Sequence, residues 1–183
     1  LTLASTAPTS MIPEVSAHYA TGDVKGAIEK INNATWISML ISMPASVGLA
    51  VLAQPVTSLL FPSTEGVAGK LMVLGVITVI LNSTSNISNG VLQGIGRANI
   101  PMINAAVSLA VDVVFLAVLL FFTNAGIYAV VIAMIVYAIV MCVLNDRALK
   151  KYLGYQNPWR YAYLPPLLAT IPMGAVAFGE YKG

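Results

Sequence analysis

The sequence predicts an all-α, polytopic transmembrane helix bundle. Two observations carry that prediction. The chain is 58% hydrophobic and only 9% charged, against about 25% charged residues in soluble domains. Its apolar residues are gathered into runs near 20 residues, the length that crosses a bilayer's hydrocarbon core at 1.5 Å rise per residue. A net charge of +2 and the lack of a basic patch interleaved with aromatics argue against a nucleic-acid partner.

The first element, residues 1–19, is mildly apolar, broken by Pro8 and Pro13, and reads as the end of a span. Complete spans are expected at 35–60, 71–92, 102–122, 127–145 and 161–178, the third starting directly after Pro101. The chain opens on Leu1 with no secretory signal pattern and stops on "GEYKG" just past an apolar run. It is therefore expected to be a piece of a longer protein.

The connections alternate between two sides. One side, in loops 20–34, 93–101 and 146–160, holds Lys25, Lys30, Arg97, Arg147, Lys150, Lys151 and Arg160; the other holds Lys70 and Lys182. The positive-inside rule puts the first set in the cytoplasm of a multi-pass plasma-membrane protein. Tyr152, Tyr155, Trp159, Tyr161 and Tyr163 flank the last span as an aromatic belt would, and Trp36 fits the same role at its own span.

"LQGIGRANIPMIN" (92–104) contains G-x-G-x-x-N. A dinucleotide fingerprint needs a preceding strand and a third small residue, and here Asn99 stands at that place. The stretch reads instead as a cytoplasmic turn, with Gly94 or Gly96 ending one helix and Pro101 in the first turn of the next. One cysteine and one histidine (Cys142 and His18) exclude a disulfide framework and a dense metal cluster, so no cofactor or metal is expected. His18 and Glu14 read as interfacial. The acceptor patterns at Asn33, Asn82 and Asn86 fall in the cytoplasmic loop or within a span and read as chance matches.

Polarity inside the spans carries the functional signal. Thr78, Asn82, Ser85 or Asn86, Asn89 and Gln93 recur every three or four residues, one stripe on one helical face. Asn104, Ser108 and Asp112 recur every four. Lipid cannot hydrogen-bond these groups, so each stripe should face other helices or a hydrated cavity. Ser85 and Thr78 read as interhelical packing; Asn82, Asn86, Asn89, Asn104, Ser108 and Asp112 read as cavity wall. Asp112 is the most informative charge, since an aspartate at mid-span costs about 2.5–3.5 kcal/mol on insertion scales and such groups line interiors or ion paths. Thr35, Ser38, Ser42 and Ser46 form a small-residue stripe suited to close helix packing, with Pro44 expected to kink that span.

Four motifs in order carry a resemblance: "SMIPEVSAHYATGDV" (10–24), "MPASVGLAVLAQPVTSLLF" (43–61), "GVLQGIGRANIPMIN" (90–104) and "NAGIYAVVIAMIVYAIVMCVLN" (124–145). Together they resemble the polysaccharide-biosynthesis and stage V sporulation protein B-like branch of the multidrug/oligosaccharidyl-lipid/polysaccharide exporter superfamily. The resemblance implies twelve to fourteen helices in two pseudo-symmetric lobes, this chain being most of the second lobe plus a following helix. It implies flipping of a lipid-linked saccharide between leaflets, with that lipid, membrane lipid and the missing N-terminal lobe as partners. The sequence departs at Asp112, where relatives often carry a lysine that could meet a pyrophosphate. The alternatives are a cation-coupled drug or metabolite antiporter using Asp112, a membrane glycosyltransferase, for which no paired loop carboxylates are present, and a non-transporting scaffold. An enzyme is not expected.

Overall fold

The computed structural model describes residues 12–60, 66–123 and 126–155. The expected last span at 161–178 and most of the expected first span lie outside them. Helix α1 covers residues 12–20, followed by α2 (Val24–Leu60), α3 (Val67–Gly94), α4 (Asn99–Phe122) and α5 (Ile127–Leu153). The last four are each long and apolar enough to cross a membrane. The chief contacts run α2 to α3, α3 to α5 and α5 to α4, whereas α3 and α4 barely touch although they are joined by a short turn.

Two boundaries differ from the sequence expectation. The segment 20–34, read as a loop, is helical from Val24, and α5 runs on to Leu153 through what was read as the start of loop 146–160. The cause is amphipathicity outside the apolar run. Ala27, Ile31 and Ala34 fall on one helical face and are buried, as are Leu149 and Leu153 on α5. Ala27, Ile31, Leu149 and Leu153 meet Val15, Ile87, Val91 and Leu92 in the main core cluster. At 37 residues α2 is far longer than a bilayer requires. Its first turns extend beyond the apolar run because that face is covered, and it continues through Pro44 and Pro55.

The turns are set by a few residues. Gly22 (φ 77°) ends α1, with Asp23 N–H donating to the His18 carbonyl (2.9 Å) and Gly22 N–H to that of Tyr19 (3.1 Å), a Schellman pattern. Asp23 then caps α2: its Oδ1 accepts from the Gly26 N–H at 3.0 Å and its Oδ2 lies 3.0 Å from His18 Nδ1. Gly96 (φ 77°) repeats the pattern after α3, with Arg97 N–H on the Leu92 carbonyl at 2.8 Å. Of the two glycines weighed for this helix end, Gly96 is the one with the left-handed backbone. Gly90 and Gly94 instead let α1 approach, because a Cβ on either would sit 2.7 Å and 3.0 Å from Ile12. That is close helix packing over a G-x-x-x-G pair.

The cap yields the first prediction. The Gly26 N–H and then His18 hold the Asp23 carboxyl below the usual carboxylate range. A depressed folded-state pKa contributes stability that is present above the unfolded value near 3.9 and lost as pH falls through the folded one. Asp23→Ala should therefore lower the thermal midpoint of the intact protein at pH 7, and the gap from wild type should close below about pH 4. A gap unchanged across that range would remove the carboxylate from the cap.

Candidate functional site

The two polar stripes are joined through a residue on a third helix. Asn145 of α5 is fully buried and donates from Nδ2 to Asn89 Oδ1 on α3 at 2.8 Å. Its Oδ1 accepts from Asn104 Nδ2 on α4 at 2.9 Å. Ser108, one turn along α4, donates to the Asn104 carbonyl at 2.8 Å and lies 3.8 Å from Met141 Sδ. The result is a bridge of three amides across three helices, in a region where water is scarce and unpaired amides are costly.

Each expected cavity residue can now be located. Asn89 and Asn104 are brought together by Asn145, and Ser108 joins them only through the Asn104 carbonyl of its own helix. Asn86 and Asn82, one and two turns from Asn89 along α3, are exposed. Gln93 continues their exposed line. Asp112 lies two turns beyond Asn104 on α4; its Oδ1 is buried and no donor among the described residues reaches it. The six residues therefore divide into a hydrogen-bonded group near the Lys/Arg-rich end of the spans and three groups with free polar capacity.

Asn145 was absent from the sequence reading because it closes an apolar run and belongs to no stripe of its own. A signal existed: two amide stripes on neighbouring helices need a common polar partner, and Asn145 is the sole side-chain amide on α5. The small-residue stripe on α2 is buried, with Ser42 Oγ 2.8 Å from Ser83 Oγ on α3. Among the described residues the Ser38 and Ser46 hydroxyls have no hydrogen-bond partner, consistent with close packing. Cys142 lies 3.1 Å from both Ser85 Oγ and the Leu81 carbonyl, so Ser85 does pack helices. Thr78 turns back onto the Gly75 carbonyl. Among the described residues no three His, Cys, Asp or Glu side chains are grouped to hold a metal.

Long apolar helices joined by buried amides, with a carboxylate inside one of them, define a polytopic membrane helix bundle. Comparison with known proteins sharpens the class: the model for "Lipid II flippase MurJ" matches residues 3–179. The chain belongs to that family, which lies within the multidrug/oligosaccharidyl-lipid/polysaccharide exporter superfamily. It is a family of flippases and not of enzymes, and the chain is a multi-pass plasma-membrane protein. It is also similar to the probable lipid II flippase MurJ of Rickettsia prowazekii (strain Madrid E), with 36% identity over 53 residues, 29% of this chain and 10% of that relative. The match thus spans about a tenth of the curated relative's length. No solved structure matches.

Proposed function

We propose that this chain is part of a flippase that carries a lipid-linked cell-wall precursor, lipid II or a close chemical relative, from the cytoplasmic to the outer leaflet. The observation that carries this reading is polar capacity left free inside membrane spans, Asn82 and Asn86 on α3 and Asp112 on α4, in a member of a flippase family. A saccharide head group crosses only where hydroxyls find hydrogen-bond partners, while its lipid tail stays in the bilayer. Helices α1–α5 form most of one lobe of a two-lobed transporter, and the polar groups face the other lobe across a hydrated cavity. Rocking of the two lobes then exposes the cavity to each side in turn.

Within that cavity wall the six residues have two roles. Asn89, Asn104 and Ser108 line it while holding α3, α4 and α5 as one body; Asn82, Asn86 and Asp112 meet water and the head group. The cations that neutralise a pyrophosphate come from the other lobe. The Lys/Arg-rich loops 20–34, 93–101 and 146–160 lie on the cytoplasmic side. The motifs similar to the polysaccharide-biosynthesis and stage V sporulation branch reflect this shared two-lobed plan, with an oligosaccharide-lipid cargo as the competing substrate.

The test uses the intact parent protein. Depleting it in cells lacking any redundant flippase should accumulate the lipid-linked precursor on the cytoplasmic leaflet, and wild-type protein should reverse this. Unchanged leaflet distribution together with lost dye or metabolite efflux would instead establish the antiporter reading.

A further inference from the structure

Helix α2 is packed in two different ways along its length, and Pro44 marks the change. Eight of its buried residues precede Pro44 and three, Ser46, Ala53 and Thr57, follow it. The first part is tied to its neighbours: Tyr155, just past α5, donates to Asn32 Oδ1 at 3.1 Å, and Ser42 Oγ lies 2.8 Å from Ser83 Oγ on α3. Beyond Pro44 one face of α2 borders open space. A trough of about 600 Å³ is lined there by Val47, Val51 and Gln54 of α2, Val73 of α3 and Tyr128 of α5. Helices α2 and α5 themselves hardly meet.

Three features suit this part of α2 to motion. Proline has no N–H, so the Leu40 carbonyl loses its helical donor at Pro44 and the Val51 carbonyl loses its own at Pro55. Missing rungs of this kind are where long helices bend. The Ser46 hydroxyl is buried but has no hydrogen-bond partner among the described residues, so it adds no tie to α3 just past the proline. Gly69 lets the end of α2 ride on bare backbone, since a Cβ there would sit 3.2 Å from Gln54 Cα and 3.1 Å from Thr57 Oγ1. A close-packed interior has no room for a helix to swing. The trough supplies it.

We propose that Pro44 is a hinge about which residues 45–60 swing, as a strap, into the trough and toward the start of α5. The motion belongs to the molecule whatever it carries, but its purpose rests on the flippase reading above. With sixteen residues beyond the hinge, a change of about 20°, the scale of a proline kink, moves the tip of the strap by about 8 Å.

The trough is separate from the polar stripe assigned to cargo. Val73 in the trough and Asn82 in the stripe are nine residues apart on α3, about two and a half turns at 3.6 residues per turn, which puts them on opposite faces. Helix α2 packs on the flank between these faces, because Ser42 reaches Ser83, the neighbour of Asn82. A swing into the trough therefore draws the strap away from the stripe and opens the stripe toward the Lys70 side. The return swing covers it. Hinges in transporters and enzymes are a few positions of this kind that absorb the change while packed segments move as bodies.

Double electron–electron resonance on the intact protein in liposomes measures the swing, with spin labels at Leu59→Cys and Ile127→Cys, both exposed positions, and the native cysteines replaced by serine. This outer pair should show two distances about 8 Å apart. A control pair at Lys25→Cys and Lys150→Cys, at the tied end, should show one. Lipid II should shift the ratio of the two outer distances. Pro44→Ala, which restores the donor to the Leu40 carbonyl, should merge them into one and slow transport about tenfold or more, as hinge changes do, without lowering the thermal midpoint. Two outer distances indifferent to lipid II would uphold the hinge and count against that cargo alone. A single outer distance, unchanged by lipid II, would overturn the hinge and leave the flippase reading standing. Two distances that persist in Pro44→Ala would overturn it as well.

Discussion

Asn145→Leu should destabilise the intact protein by about 2 kcal/mol, the sum of two interhelical hydrogen bonds at roughly 0.6–1.7 kcal/mol each within a membrane bundle. The side chain is fully buried and satisfies Asn89 and Asn104 at once. Leucine has similar volume but leaves both neighbouring amides facing hydrocarbon. The penalty for unpaired buried polar groups then adds to the loss of the bonds. Helix α4 is more sensitive than α3, since among its residues only Pro101 and Ser108 are buried and its principal contact is with α5. Unfolding in mixed micelles, read by far-UV circular dichroism, gives the measurement. Asn86→Leu, on an exposed position of α3, should shift the midpoint little. A double-mutant cycle of Asn89→Leu with Asn145→Leu should be strongly non-additive, as residues in one network are. Additive effects, or a midpoint unmoved by Asn145→Leu, would show that the bridge does not hold the helices.

The contrast between Asn145 and Asn86 also marks what the sequence could reveal. Periodicity along one helix is a local property, so the stripes through Asn82, Asn86 and Asn89 and through Asn104, Ser108 and Asp112 could be read directly. Span lengths could be read for the same reason. Partnership across helices is not local: Asn104 and Asn145 are 41 residues apart, and Asn89 and Asn145 are 56 apart. Nothing in a 3.6-residue repeat distinguishes an amide that meets another helix from one left open. The early start of α2 was hidden differently. Its first turns carry charge at Lys25, Glu29 and Lys30, which lowers the average hydropathy of any span-sized window, while the buried face through Ala27, Ile31 and Ala34 is visible only at helical period. The Gly90 and Gly94 pair is likewise open to a G-x-x-x-G reading, but the turn that follows gives Gly94 a competing helix-end explanation and so hides the pair.

Asp112→Leu should have opposite effects on stability and on transport, and this separates a working carboxylate from a structural one. An aspartate at mid-span costs about 2.5–3.5 kcal/mol on insertion scales, whereas leucine is favoured there. Among the described residues no donor compensates Asp112 Oδ1, so its removal should leave the unfolding midpoint of the intact protein unchanged or raised. Transport of the lipid-linked precursor should nevertheless fall at least tenfold, about 1.4 kcal/mol in the limiting barrier, if the carboxylate meets the head group, a coupling cation or a cation of the other lobe. Asp112→Asn then distinguishes charge from polarity. An asparagine that restores transport assigns Asp112 to hydrogen bonding of the saccharide. An asparagine as inactive as leucine assigns it to ion pairing or cation coupling, and dependence of wild-type transport on sodium or on pH would separate those two. Wild-type transport by the leucine variant at equal abundance in the membrane would remove Asp112 from the route and leave Asn82 and Asn86 as the polar groups that the proposed cavity requires.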